Sequence, residues 1–576
     1  MGRIRIGLTI SGAVSLGSFE GGALAALLTG VQALQLAKPG QPPPLRIDAI
    51  GAASAGAITA VAAARILTGG LDPIWVMEQA WVTRATLDAL MRNAGNDAPL
   101  SMDGLSDMAI SILAGDGHIR PEAVQAGCDV TIHLALCNLR GLDYEIKKLS
   151  PIGSTAIQAS TYLDWGNFTF SPNAPLAEFE KEGGRSALDT ALASGSNEFG
   201  FPPKRLARVK ADYEPQGLDN FPVGSDFLWY TDGGTIDNEP LGRTMDITNS
   251  FDSLDSADPL LSGDRRIHLL IHPFPTWPAG SSSQAWADPD RKPTWLRTLF
   301  RAFEVIRSQN LYSDIRRAEK TNSRLLWDVR LVKTLDGLIQ GLTVEQQALW
   351  AQSLKEVLDE IEGGASQMPR HRAQRPSTGR DQTDGPEASA LLHAALERVS
   401  GLSGKNPVGI EVISPYLAEG TAGLALGEIL AGEFLESFGG FFDEGLRRSD
   451  FALGFVCMLN WMSTALEAYG LDRDSAGIAI DAALKAFYAL GEWTASGQTK
   501  GFTGYGLNEN LKGAATGLKL AARPSWTPAE FGRQTMSDLS SSEKWKLLHV
   551  SERVARVVAA DIWLHAQGKD SVGGLA

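Results

Sequence analysis

The sequence predicts an α/β protein, a largely parallel sheet with helices between its strands, followed by a mostly helical region. Three observations carry this. Arg3 to Ile10 starts by alternating and ends as an apolar run, as a buried strand does; a glycine-punctuated stretch from Gly12 to Gly22 and leucines at near-helical spacing from Ala23 to Leu36 follow it. The same order returns at once, with a strand-like Arg46 to Gly51 and an Ala-rich helical pattern from Gly56 to Leu67. Strands that alternate with helices build parallel sheets. Beyond Ala388 the chain changes character, with Ala- and Leu-rich helical patterns at Leu391 to Val399, Leu424 to Phe438 and Ile478 to Leu490.

Between these regions three more strands are predicted, at Asp129 to Leu136, Asp226 to Thr231 and Arg266 to Ile271. Thr276 to Pro293, rich in Ser, Pro, Gly and Trp, reads as a loop, and taken on to Trp295 it reads as a surface insertion, with a lid or membrane-contact element as the other reading. Gly363 to Glu387 has almost no apolar residues and reads as a flexible linker. The resulting plan is an α/β domain over 1–325, a helical connection over 326–362, a linker over 363–387 and a helical region over 388–576.

Composition narrows the function. The chain has 576 residues, 44% hydrophobic and 21% charged, an ordinary globular balance. Its 52 Lys and Arg against 67 Asp and Glu give a net charge of −15, which argues against general nucleic-acid binding, since that draws on phosphate neutralisation. Three cysteines (Cys128, Cys137 and Cys457) fit no disulfide framework or zinc spacing, and His118 and His133 show no metal spacing either. A reducing, cytoplasmic location is expected. The N-terminus does not read as a signal peptide, because Ser11 and several glycines interrupt its apolar run. The longest uncharged stretch, Gly21 to Ala37, falls short of the roughly 20 strongly apolar residues that span a bilayer. Peripheral membrane contact stays open.

Three short segments could carry chemistry. In Gly51-Ala52-Ala53-Ser54-Ala55-Gly56-Ala57, a serine stands between a strand and a helix, as in a nucleophile elbow. The small residues Ala52 and Gly56 permit the sharp turn. The helix would offer its positive end and the Ala55 N–H to a developing oxyanion. Ser11 to Gly17 is a loop of short residues whose amides could face an anion. It is not a Walker loop: Gly12 and Gly17 have the right spacing, but Ser18 stands where lysine is required. Asp232-Gly233-Gly234, after a strand, could project a carboxylate above the sheet, and is also a common turn sequence. Sites in open α/β sheets gather at the carboxyl ends of strands, where all three segments are predicted to lie.

Together these segments resemble the patatin-like phospholipase family, which has a Gly-rich oxyanion loop, a G-x-S-x-G elbow and a distant D-G-[GA] motif. Asp232-Gly233-Gly234, with Asn238 and Pro240 behind it, matches the last closely, and Ala193 to Pro203 resembles the family's A-S-x-A-x-P-x-x-F-P segment, with Ser196 and Glu198 as departures. The likeness covers about residues 4–275. It implies a three-layer α/β/α sheet domain and a lipid acyl hydrolase, without a cofactor, that uses a Ser54–Asp232 dyad. It also implies an oxyanion hole of the Gly12, Ala13, Val14 and Ala55 amides, supported by Gly17, Gly56, Gly233, Gly234 and Asn238. The substrate would be a membrane lipid or another acyl ester.

This sequence departs from the family loop G-G-G-x-[RK]-G at Ala13, Val14 and Leu16, and from the elbow at Ala52. Leu16 replaces the usual cation, whereas Ala13 and Val14 keep their N–H donors. Two other readings follow from the residues: a Ser-His-Asp esterase with His272 as base, and a non-catalytic lipid-binding or scaffold protein. His268, inside an apolar strand pattern, reads as a core histidine.

Overall fold

A computed structural model describes residues 3–92, 98–148, 155–180, 185–198, 200–210, 213, 227–255, 264–274, 295–365, 388, 391–392, 395–396, 409–424, 426–433, 437–495, 506–518, 520, 544–545 and 548–556. The expected insertion at 276–293, most of the expected linker, most of the helix expected at 391–399 and Phe434 to Glu436 lie outside these residues.

A mixed eight-stranded sheet forms the centre. Its strands are β1 (Ile4–Ile10), β2 (Leu45–Ala52), β3 (Val130–Lys148), β4 (Thr155–Phe170), β5 (Lys204–Ala207), β6 (Phe227–Thr231), β7 (Arg265–Ile271) and β8 (Gly409–Ile413). They run in the order β5-β6-β3-β2-β1-β7-β8, with β4 paired to β3. The pairs β1–β2, β2–β3, β1–β7 and β7–β8 are parallel, and β3–β4, β3–β6 and β5–β6 are antiparallel.

The principal helices are α1 (Gly17–Ala37), α2 (Ala55–Gly69), α3 (Asp103–Ala114), α4 (Ala187–Ser194), α5 (Leu241–Asp255), α6 (Trp295–Gln340), α7 (Val344–Ala365), α8 (Glu444–Ala465), α9 (Arg473–Ala495) and α10 (Glu509–Gly517). Strand alternation sorts them into layers. Ile4, Ile6, Leu8 and Ile10 of β1 join one core with apolar residues of α1, α2 and α8. The intervening residues face α5: Arg5 lies 3.4 Å from Asp252, and Thr9 Oγ1 donates to Thr244 Oγ1 at 2.9 Å. Beyond α5, Leu241, Met245 and Leu270 pack with Leu311 and Ala318 of α6. The chain is therefore α/β, with helices on both faces of a mixed sheet.

The domain plan needs correction. The boundary expected at 325 falls inside α6, and β8, from the second half of the chain, pairs with β7 in the sheet. Helix α8 packs across α1 through reciprocal glycines: a Cβ on Gly22 would overlap the Phe451 carbonyl, and one on Gly454 would overlap the Phe19 carbonyl. Among the described residues of the helical pattern expected at 424–438, the helix is a short turn at Leu426–Ile429. Among the described residues one helical stretch, 14–37, is long and apolar enough to cross a membrane, and most of it is buried inside the fold.

Candidate active site

Ser54 lies between the end of β2 and the start of α2, with φ 54° and ψ −127°. A non-glycine residue there is strained, and such strain persists only where the surroundings enforce it. Here the enforcement is visible. A Cβ on Gly56 would come within 2.5 Å of the Ser11 carbonyl, so only glycine lets α2 approach β1 this closely. The Ser54 N–H donates to Ser194 Oγ at 2.9 Å, and Ser194 Oγ donates to the Ala135 carbonyl at 2.7 Å. The turn is thus tied to α4 and β3.

Asp232 follows β6 and is fully buried. Ser54 Oγ donates to its Oδ2 at 3.0 Å across 178 positions of sequence. Asn197 Nδ2 donates to the same oxygen at 3.2 Å, and the Gly234 N–H donates to Oδ1 at 2.8 Å. Gly233 has no room for a side chain, since its Cβ would overlap the Ala135 carbonyl. The two residues expected to meet therefore do so, and the carboxylate is also held by Asn197 from another segment and by an amide of its own turn. Ser194 and Asn197 lie in the segment singled out by its resemblance; their roles were not legible, because a serine or asparagine donor has no spacing signature of its own.

The loop after β1 faces this pair with a division of labour that differs from expectation. The Gly12 N–H is already donated to the Asn238 carbonyl at 3.0 Å, so it is not a free oxyanion donor. Gly12 instead serves by its missing side chain, because a Cβ there would lie 2.7 Å from Ser54 Cβ. Among the described residues the amides of Ala13, Val14 and Ala55 have no acceptor. Val14 holds φ 53°, a left-handed conformation that glycine adopts without strain and a β-branched residue resists. Leu16, where the resemblance would place a cation, is fully buried in the apolar core, where an unpaired charge would be costly. Gly17 packs against the Trp81 ring and could not carry a Cβ.

His272 is not part of the pair. Its ring is buried, with Nδ1 3.8 Å from Glu239 Oε1, and it makes no hydrogen bond to Ser54 or Asp232. Burial pushes it down to about 4, so it is neutral at physiological pH. His268 is a core residue as expected, with Nε2 2.8 Å from Thr248 Oγ1.

A cavity of about 100 Å³ opens beside Ser54. Its walls are Val14, Ala55, Ile58, Val61, Trp81, Met102, Leu105, Met108, Leu192 and Phe441, with Asn197 among the few polar contributors. Trp81 is held there by its Nε1 donating to Thr59 Oγ1 at 3.0 Å. The apolar wall comes mainly from α2, α3 and α4, and Phe441 adds a contribution from the second half of the chain.

The sequence matches no family model. It is similar to the uncharacterized protein y4iI of Sinorhizobium fredii (strain NBRC 101917 / NGR234), with 24% identity over 353 residues, 47% of this chain and 49% of that protein. The chain spans about half the length of the curated relative it matches.

Proposed function

We propose that the protein is a serine hydrolase of lipid acyl esters, of the phospholipase or lysophospholipase type and patatin-like in its site, with Ser54 as nucleophile and Asp232 as general base. One observation carries the reading: Ser54 Oγ sits 3.0 Å from a buried carboxylate at the wall of an apolar cavity. The carboxylate accepts the Ser54 proton as Oγ attacks the ester carbonyl. The Ala13, Val14 and Ala55 amides receive the oxyanion. Collapse expels the alcohol, which takes the proton back from Asp232, and water then cleaves the acyl-enzyme with the same base.

General-base assistance contributes about 10²–10⁴-fold, and one oxyanion donor about 3–4 kcal/mol. The amide cradle and the carboxylate are therefore of comparable weight. An acyl chain fits the apolar walls, because burying its methylenes is favourable by about 0.8 kcal/mol each. The lipid would be met at a membrane surface from the cytoplasmic side.

Intact-mass analysis after fluorophosphonate treatment tests this. Wild type should gain one adduct and Ser54→Ala none, and wild type alone should release fatty acid from phospholipid or lysophospholipid vesicles. An unlabelled wild type that still binds the vesicles would move the protein to the non-catalytic lipid-binding reading.

A further inference from the structure

The residue after Val14 is held by a segment more than 420 positions away. Ser15 is 1% exposed. Its N–H donates to the Ser437 carbonyl at 3.1 Å, and its Oγ donates to the same carbonyl. The Gly440 N–H in turn donates to Ser15 Oγ at 3.0 Å. Gly440 must be glycine at this approach, since a Cβ would lie 2.7 Å from Ser15 Oγ. Ser437 itself holds φ 67°, a left-handed conformation that a non-glycine residue keeps only where its surroundings enforce it.

The segment is itself anchored to α8 and to the N-terminal half. Arg447, 2% exposed, donates from Nη1 to the Gly440 carbonyl at 2.8 Å and from Nε to the Val82 carbonyl at 2.7 Å. Asp450, one turn further along α8, accepts from the Ala431 and Gly432 amides at 2.7 and 2.9 Å. The glycine-lined crossing of α1 and α8 fixes the distance between the two halves.

We infer that the C-terminal region sets the oxyanion loop, with Ser15 as the positioning residue that Ser437 and Gly440 hold so that the Ala13 and Val14 amides face Ser54. This rests on the hydrolase reading above. The Val14 backbone is in a conformation its side chain resists, and the rigid Ser15 anchor keeps it there. A tie that served stability alone would change the melting temperature and leave turnover per folded molecule unaltered.

The test compares wild type with Ser15→Ala and Gly440→Ala, using hydrolysis of a short aryl ester, fluorophosphonate titration of active sites and inhibition by an alkyl trifluoromethyl ketone, whose hemiketal carries an oxyanion. Ser15→Ala should label to the same final stoichiometry, with kcat per labelled site lowered at least 10-fold, KM within 2-fold and ketone affinity reduced in parallel with kcat. Gly440→Ala, which pushes on Ser15 Oγ, should do the same. Should Ser15→Ala not fold, Ser15→Cys, which keeps the shape and weakens the bonds, is read by the same criteria.

Unchanged kcat and ketone affinity in the folded variants overturn the inference. A wild type that takes up no fluorophosphonate overturns the hydrolase reading itself.

Discussion

Asn238 grips the Gly12 peptide from both sides: its carbonyl accepts the Gly12 N–H at 3.0 Å, and its Nδ2 donates to the Gly12 carbonyl at 3.2 Å. This joins the loop after β1 to the turn that carries Asp232. Asn238→Ala keeps the first bond and removes the second, leaving the loop hinged. We expect kcat for a soluble ester to fall about 10-fold or more with KM little changed, and stability to fall by about 1–2 kcal/mol. Steady-state kinetics and a urea titration check both. Unaltered kcat would assign Asn238 to stability alone.

The base is identified by comparing two substitutions. Asp232→Asn keeps the shape but cannot take the Ser54 proton, so kcat should drop about 10²–10⁴-fold. His272→Ala should leave turnover within a few-fold, because its ring faces Glu239 and not Ser54. The reverse ranking would restore the Ser-His-Asp reading.

Chain-length preference should follow the cavity. Ile58 lies one turn along α2 from Ser54 and lines the wall. Ile58→Trp fills that space, so kcat/KM should fall for long-chain esters and stay within a few-fold for acetate esters. Measuring a series of p-nitrophenyl esters from two to sixteen carbons would expose an equal loss at all lengths, which contradicts this placement of the acyl chain.

Asp450 makes stability depend on pH. Burial pushes its carboxyl up to about 7, against the lowering effect of the Ala431 and Gly432 amides and with a further rise from nearby Glu433. An unfolded aspartate titrates near ~3.9, so between about pH 4 and 7 the folded state holds a proton that the unfolded chain has released. Stability from this group is therefore greatest at low pH, declines as pH rises to 7 and is level above that, by an amount on the order of a few kcal/mol. Buried His268 and His272, pushed down to about 3 and 4, act with the opposite sign as pH falls below ~6.5. The Asp450 share is thus read as a difference. The gap in unfolding free energy between wild type and Asp450→Asn should shift toward the variant from pH 5 to 7.5, and a gap independent of pH would exclude it.

The first two strand-loop-helix units and the Asp232 turn were legible because each combines a short apolar run, glycines forced by close backbone contact, and a helix. The meeting of Ser54 with Asp232 came from the resemblance, and in the fold the two side chains are hydrogen-bonded. Much of the rest left no periodic trace. Helix α8 is buried over nearly its whole length, so it has no polar face for periodicity to reveal. Strand β8 is only partly buried and carries Glu411 at its centre, so no continuous apolar run marks it. The β3–β4 hairpin extends well past the apolar core of its first strand, through a register shift between Cys137 and Leu142 with Gly141 at φ 77°. The Gly12 amide was misassigned because its acceptor, the Asn238 carbonyl, is a backbone atom that no side-chain motif marks.

The late position of β8 and α8 bears on biosynthesis. A nascent chain that has emerged through residue 325 already contains both halves of the dyad, yet β7 still lacks its neighbour on one side and Ser15 lacks the carbonyl that holds it. Bare strand edges invite pairing with other chains, so such a fragment should aggregate if released from the ribosome. If the pair cleaves esters as proposed, its oxyanion loop gains the carbonyl that holds it only after more than 430 residues have been made, so incomplete copies would be poor catalysts.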